Sequence, residues 1–486
     1  MTSQRKRLQS YLKERGLEVL GTDGAGTVEV QNSWGSLHVP DLMDRVLDKE
    51  NFNQAVQRVV ANKGAPGVDG MSATELPMFV EQNWERIYWN LRTGRYRPSP
   101  VRRVRIPKPD GGERELGVPT VLDRAVQQAV AQVLEPIYEP LFSRNSYGFR
   151  PNRSAHQAIL ALKQYCSEGY TWAVDIDLSK YFDTLNHELL MNLIRRNIHD
   201  ETLLVTIKAF LKSGVMENGV VHATEAGSPQ GGNLSPLLAN IYLNEFDKLL
   251  EERGHMFCRY ADDIMIVVRS ERAAERVMSS SKEFLEGTLK LRVNQDKSTI
   301  GPIYGLKFLG FTLYGTSRNG EWKVGITIHP KSLKRFKDKV KSILREKSQW
   351  TIELTLNYLK SYLRGWLAYY GLADMKRKLE DIAGWARRKL RARLWSQWKR
   401  SRNRVRKLKS IIADRSQRKA LYTVIFVCIR HARAHGPWHM SAYHPLHVLL
   451  TNKYLESIGF PNILEMYQNI HVLLVNRRVR EVRTVV

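Results

Sequence analysis

The sequence predicts an α+β protein that becomes all-helical in its last third. Up to about residue 330, short β-forming runs alternate with stretches of helical periodicity, an arrangement that suits helices covering one face of a sheet. From about 330 to 415 the pattern is nearly all helical and densely basic. The third observation is Tyr260-Ala261-Asp262-Asp263, a polar break between Met256-Phe257-Cys258 and Ile264-Met265-Ile266-Val267-Val268. Apolar runs on both sides of a short polar break read as a β-hairpin.

Taken in order, residues 1–41 read as an extension: a basic amphipathic start, then Gly-rich Gly21-Thr22-Asp23-Gly24-Ala25-Gly26. Leu42, Val46, Leu47, Phe52, Ala55, Val56 and Val59 recur at helical spacing, and Lys63 to Gly70 is a glycine-punctuated loop. A helix is expected over 75–92. Val101 to Ile106 alternates in period two, Pro109-Asp110-Gly111-Gly112 is a turn, and Glu113 to Val118 is the returning strand. Helices are expected at 122–140, 154–168, 187–196, 200–213, 235–253 and 271–288. Tyr170 to Leu178 is an apolar strand carrying Asp175-Ile176-Asp177.

Composition narrows the partners. The formal charge is +27, from 76 Lys+Arg against 49 Asp+Glu. A surface so basic points to a polyanion, nucleic acid ahead of an anionic membrane. No run approaches the roughly 18 apolar residues of a spanning helix. Cys166, Cys258 and Cys428 form no CxxC pair, so neither a zinc ribbon nor a disulfide framework is expected, and a reducing cytoplasm fits. His431, His435 and His439 fall at helical spacing, but Pro437 interrupts them and no carboxylate or cysteine joins them, so zinc is not expected. The basic N-terminus is not followed by an apolar stretch, so no secretory signal is expected.

The chemistry-bearing residues follow. Adjacent carboxylates such as Asp262 and Asp263 resist joint ionisation unless a cation lies near, and hard Mg²⁺ prefers carboxylate oxygens. Taken locally, a solvated polar turn is the commoner reading, since Asp-Asp at a hairpin tip is frequent. Asp177, at the end of its strand, is either a third carboxylate or a helix N-cap. Three carboxylates around two Mg²⁺ ions about 4 Å apart would suit in-line phosphoryl transfer. Lys108 and Arg114 flank the Pro-Asp-Gly-Gly turn and could converge on a triphosphate, or simply touch a phosphate backbone. Ser228-Pro229-Gln230-Gly231-Gly232-Asn233 is a loop whose backbone can approach a ligand closely.

In this order the stretches resemble the reverse transcriptases encoded within bacterial group II introns. The resemblance rests on Arg105 to Gly112, Leu116 to Thr120 with Asp123-Arg124, Ser146 to Pro151, Asp177 to Asp183, Ser228 to Gly232 with Leu234-Ser235-Pro236, Arg259 to Asp263, Val293-Asn294 with Lys297-Ser298, and Phe308 to Phe311. It covers roughly 42–400 and continues more loosely to about 467.

The resemblance implies a right-hand polymerase with a ferredoxin-like palm sheet. Fingers and palm are expected over 42–315, a helical thumb or maturase domain over 325–415, and a basic nucleic-acid-binding region over 416–486. It implies Asp177, Asp262 and Asp263 as the metal-binding triad for two Mg²⁺ ions, with Asp263 further out because neighbours on a strand face apart. Asp175 and Asp183 are expected as structural neighbours. Lys108 and Arg114 are implied as dNTP triphosphate contacts, Phe182 as the steric gate under the sugar, Gln230 as a neighbour of the nascent base pair, and Lys297 as proton donor to pyrophosphate. Tyr362 to Tyr370 resembles the maturase Gly-Trp-aromatic helix, with Trp366 expected in the core. The cations Arg387, Arg388, Arg391, Lys399 and Arg400 are expected on RNA. The implied partners are intron RNA, an RNA template, a DNA primer and target, and dNTPs, with no membrane and no zinc nuclease. A domesticated relative in DNA repair, defence or a CRISPR locus, or a splicing-only maturase, is the competing expectation.

Overall fold

The computed structural model describes residues 17–22, 28–32, 41–107, 111–217, 220–222, 231–318, 320–345, 350–411, 418–424, 437–442 and 444–483. The chain divides into two compact units, Met1–Gly301 and Pro302–Val486.

In the first unit an antiparallel pair, β1 (Leu17–Thr22) and β2 (Val28–Asn32), precedes the helices α1 (Leu42–Leu47), α2 (Lys49–Ala61) and α3 (Leu76–Arg92). Asp48 starts α2 by accepting from the amides of Glu50 and Asn51, an N-cap that satisfies donors a helix end leaves orphaned. The strands β3 (Val101–Pro107) and β4 (Glu113–Val118) then pair antiparallel, from Arg102↔Val118 to Pro107↔Glu113. Next come α4 (Val121–Tyr138) and α5 (Ala155–Ser167). Ser154 and Gln157 form a reciprocal capping box that begins α5 where a Ser followed by a Gln three residues later would place it.

The central sheet follows. Its members are β5 (Trp172–Ile176), β8 (Met256–Tyr260), β9 (Asp263–Val268) and β10 (Thr299–Pro302), in the order β10-β5-β9-β8. Between β5 and β8 run α6 (Tyr181–Thr184), α7 (His187–Arg195), α8 (Glu201–Leu211), the short strands β6 (Val215–Glu217) and β7 (Val220–His222), and α9 (Ser235–Glu252). β6 joins β3 in parallel and so makes a second sheet, ordered β4-β3-β6-β7. After β9 comes α10 (Glu271–Glu283), which runs into a π-helical turn, Phe284–Thr288.

The sheet is covered on both faces, which corrects the expectation of helices on one. Cys258 Sγ donates to the Ala158 carbonyl of α5, whereas the next residue, Arg259, reaches Asp247 of α9. Successive strand side chains point to opposite faces, so α5 and α9 lie on opposite sides of β8. The burial of all five residues of β9 after Asp263 has the same cause, since an alternating pattern needs one wet face.

The second unit begins with a hairpin that the sequence reading did not anticipate, β11 (Phe311–Arg318) and β12 (Glu321–Ile328), in register from Phe311↔Ile328 to Arg318↔Glu321. Helices follow: α11 (Pro330–Arg345), α12 (Ile352–Tyr370), α13 (Lys376–Gln397), α14 (Ser401–Lys409), α15 (Pro437–Met440), α16 (His444–Leu449), α17 (Asn452–Ser457) and α18 (Ile463–Arg483). Trp366 is buried in this unit, its ring centred 4.0 Å from that of Phe336. Among the described residues no helix is long and apolar enough to cross a membrane.

Candidate active site

The hairpin tip is the two-residue turn Ala261-Asp262, closed by the pair Tyr260↔Asp263. Ala261 has φ +57°, a left-handed conformation that costs a non-glycine residue about 1–3 kcal/mol and persists only where the surroundings over-determine it. One support is the chain at 145–148. Tyr147 N–H donates to the Arg259 carbonyl at 2.8 Å, and Arg259 N–H donates to the Asn145 carbonyl at 2.8 Å. Gly148 then lies so close to the turn that a Cβ there would collide with the Ala261 backbone nitrogen. Glycine is required at that position for close approach rather than for its φ.

The third carboxylate arrives through β5. Its antiparallel register with β9 ends at Ile176↔Ile264, so Asp177 and Asp263 are the next residues beyond the last pair. The peptide of Asp177 is held on both sides. Its N–H donates to Ser298 Oγ at 3.1 Å, and its carbonyl accepts from Asn294 N–H at 2.9 Å. Ser179 N–H adds a bond to the Arg292 carbonyl at 2.8 Å. The same loop carries Lys297, whose Nζ stands 3.8 Å from Asp177 Oδ1. Asp177 and Asp262 are half-buried and Asp263 is exposed.

Next to these, α6 sets Phe182. Lys180 takes a left-handed φ of +48° to begin the helix. Tyr181 is buried and donates its hydroxyl to the Ala239 carbonyl of α9 at 2.7 Å. Burial pushes the Tyr181 phenol well above its ordinary range, Arg259 opposes that shift, and Asp262 is among the charges that add to it. Asp262 is therefore near enough to Tyr181 to be felt. Phe182 stays half-buried against the core.

The sequence reading missed what stands behind the turn. Arg259 is fully buried with Asp247, and its Nη2 lies 2.6 Å from Asp247 Oδ2. Its Nη1 donates to Asn240 Oδ1 at 2.9 Å and to the Ala261 carbonyl at 3.0 Å. A signal was present in the sequence. Asn240, Asn244 and Asp247 fall at i, i+4 and i+7 of α9 and so share one face, where its other buried residues are mostly apolar.

These carboxylates suit a hard divalent ion in a particular way. Among the described residues no group of three His, Cys, Asp or Glu side chains could hold a metal ion by itself. Mg²⁺ commonly binds through one or two carboxylates, several waters and the substrate's phosphates rather than a complete protein cage. Oxygen-only donors at two neighbouring strand ends, with an ammonium against one of them, fit that mode.

Residues 106–313 match the family model for reverse transcriptase (RNA-dependent DNA polymerase), and residues 333–412 match that for the group II intron, maturase-specific domain. The group II intron-encoded protein LtrA of Lactococcus lactis subsp. cremoris is 30% identical over 430 residues, which cover 70% of this chain and 71% of LtrA. The chain belongs to the group II intron-encoded reverse transcriptase and maturase family. Protein YkfC of Escherichia coli strain K12 is 36% identical over 351 residues, 64% of this chain and 92% of YkfC. A putative COX1/OXI3 intron 2 protein of Saccharomyces cerevisiae is 32% identical over 284 residues, 46% of this chain and 33% of that protein. As a member of this family the protein is an RNA-directed DNA polymerase, and reverse transcriptase domains are Mg²⁺-dependent nucleotidyltransferases.

The remaining expected residues of this reverse transcriptase fall as follows. Lys108 and Gln230 lie outside the described residues. The backbone of Arg114 pairs with Ile106 in β4, and its side chain is not described. Gly231, next to Gln230, backs onto Gly117 of β4 so tightly that a Cβ would meet the Gly117 carbonyl. His431 and His435 lie outside the described residues, as does the His439 side chain.

Among the expected RNA contacts, Lys399 and Arg400 are exposed and Arg387 and Arg388 are half-buried. Arg391 departs from the expectation. It is 5% exposed, its Nε donates to the Leu450 carbonyl at 2.9 Å and its Nη2 to Asn452 Oδ1 at 3.2 Å. Its guanidinium tethers the end of α16 and the start of α17 to α13 and is not presented to a phosphate. Arg393 is likewise spent on the carbonyls of Ile343, Leu344 and Trp350. Burial, then Lys341, Arg345 and Arg388, lowers the Lys389 ammonium, which marks four cations gathered from α11 and α13.

Proposed function

We propose that DNA synthesis runs at Asp177, Asp262 and Asp263, which would hold two Mg²⁺ ions at the ends of β5 and β9. The observation that carries this reading is the β5–β9 register, which brings Asp177 to the strand end beside Asp263. When bound, the two ions would supply charge neutralisation for attack of a primer 3′-hydroxyl on a dNTP α-phosphate with pyrophosphate leaving.

The chain's own groups do the rest. The Asn294 and Ser298 bonds hold Asp177 in place without using its carboxylate. Phe182, packed against the core, is the floor under the incoming sugar and leaves no room for a 2′-hydroxyl. On the family resemblance, Lys108 and Arg114 would contact the triphosphate and Gln230 would neighbour the nascent base pair. Lys297, whose Nζ stands 3.8 Å from Asp177 Oδ1, would deliver a proton to the pyrophosphate. The basic helical unit binds the intron RNA for splicing and retrohoming, and the sheet that carries the carboxylates is a ferredoxin-like palm.

Primer extension on an RNA template with Mg²⁺ tests the reading. The wild type is expected to make DNA, and Asp262→Ala and Asp177→Ala are expected to make none. A wild type without synthesis, or an Asp262→Ala protein as active as wild type, would remove the assignment.

A further inference from the structure

We propose that Arg259 is a positioning residue: clamped by Asp247 and Asn240 of α9, it holds the Ala261 carbonyl and thereby aims the carboxylates of Asp262 and Asp263. This inference rests on the reading that those carboxylates hold divalent metal.

The burial is the first argument. Arg259 and Asp247 are both wholly removed from solvent. A buried ion pair is weak as a stability device, because well-packed apolar residues of similar volume serve as well or better. Such a pair is better explained by geometry that only it can supply. A guanidinium offers several N–H groups in a rigid fork, and all three nitrogens of Arg259 donate across two elements. Nε and Nη2 grip Asp247, at 2.8 Å to Oδ1 and 2.6 Å to Oδ2. Nη1 is divided between Asn240 Oδ1 at 2.9 Å and the Ala261 carbonyl at 3.0 Å.

The second argument is the residue being held. Ala261 is in the left-handed region without being glycine, and it immediately precedes Asp262. A carbonyl fixed at that position fixes the plane of the Ala261–Asp262 peptide, and with it the direction in which Asp262 leaves the backbone.

The third argument is that the clamp reaches the other wall of the turn. Asn240 Nδ2 donates to the Gly148 carbonyl at 2.9 Å while its Oδ1 takes the Arg259 bond. One amide thus ties the loop that presses on Ala261 to the arginine that pulls on it. That loop is itself rigid. Arg150, paired with Glu139 at 2.7 Å, donates through Nη1 to the carbonyls of Ser143 and Ser146. Asn244, one turn further along α9, closes the assembly by donating to the Leu141 carbonyl and accepting from Ser143 N–H. The polar stripe of α9 is therefore a brace whose free end is the metal-bearing turn.

The test uses the full chain in two variants. Arg259→Lys keeps the charge but replaces the fork by one ammonium, which cannot serve Asp247 and Ala261 together. The double variant Arg259→Met with Asp247→Leu replaces the pair by apolar bulk and removes the Ala261 bond entirely. Mn²⁺ binding is read by electron paramagnetic resonance with an RNA template and DNA primer bound, alongside thermal unfolding, template–primer affinity and primer-extension kinetics. Both variants are expected to melt cooperatively and to hold template–primer as the wild type does. Their Mn²⁺ affinity should fall roughly 10- to 100-fold, the usual cost of losing a group that orients a metal ligand. The kcat should fall with it, and any rise in the KM for dNTP should not exceed the loss in metal affinity, because the ions that the turn would hold also contact the substrate's phosphates. A folded variant of either kind with wild-type Mn²⁺ affinity and kcat overturns the proposal. Asp262→Ala, run beside them, separates the two readings. If it loses the ion while the Arg259 variants keep it, only the positioning role fails. If Asp262→Ala also keeps the ion, the metal site itself is wrong and the positioning role goes with it.

Discussion

Lys297 Nζ stands 3.8 Å from Asp177 Oδ1, on the loop whose Asn294 and Ser298 hold both sides of the Asp177 peptide. The pair is open to solvent on the lysine side, so it adds little to stability. The role proposed for Lys297 is chemical, and Lys297→Ala separates it from stability. Melting should be unchanged within about 0.5 kcal/mol, as for an exposed substitution. The kcat should fall about 10²-fold, the lower range for losing a positioned proton donor. Unchanged kcat would take Lys297 out of the proton-transfer role.

Phe182 is half-buried beside Tyr181, whose ring centroid lies 5.2 Å away. Because Tyr181 carries the anchoring bond to Ala239, Phe182→Ala should leave α6 in place and open space under the sugar. Ribonucleotide incorporation should then rise, by an order of magnitude or more if roughly 1.4 kcal/mol of steric exclusion is removed. Competition between dGTP and GTP in primer extension reads this directly, and unaltered sugar preference would sink the gate.

Arg391 and Lys389 should part company. Arg391→Ala strands the Leu450 carbonyl and should cost about 1–3 kcal/mol in urea unfolding, with its RNA effect following stability alone. Replacing Arg388 and Lys389 together by Gln should leave melting nearly unchanged and weaken intron RNA binding. The slope of log affinity against log salt should flatten by about 0.7–0.9 per lost cation. An unaltered slope would mean that the cluster with Lys341 and Arg345 is only solvated.

Cys166 is buried and its thiol is pushed up to about 12 by burial. At pH 8 only about one thiol in 10⁴ would be thiolate, the form that alkylates. Iodoacetamide should leave Cys166 unmodified in the native protein and label it after denaturation. The sign for stability follows from tighter proton binding in the folded state: its contribution is present below the unfolded thiol's pKa of about 8.5 and is lost progressively as pH rises from there towards 12. Rapid labelling at pH 8 would show that α5 opens against β8.

By itself the sequence determined the family, the chemistry and the order of most elements of the first unit. The positions of Asp177, Asp262 and Asp263 at a strand end and a hairpin turn were legible because such ends announce themselves through local alternation, and because the flanking stretches fall in a known order. Helices such as Leu76–Arg92 and Ser235–Glu252 were legible from periodicity for the same local reason. The hairpin Phe311–Arg318 with Glu321–Ile328 escaped, since a two-stranded ribbon owes its stability to cross-strand pairs that no single strand displays. Only the tertiary structure could separate the cations of α13. Arg391 and Lys389 look alike in a basic run, and burial against α16 and α17 makes one a tether, while the approach of Lys341 and Arg345 makes the other part of a cluster. The same holds for Arg259. Its neighbours Tyr260 to Asp263 declare a site in one dimension, but its partners stand 12 and 19 residues away on α9, and their meeting with the arginine of β8 depends on packing between elements.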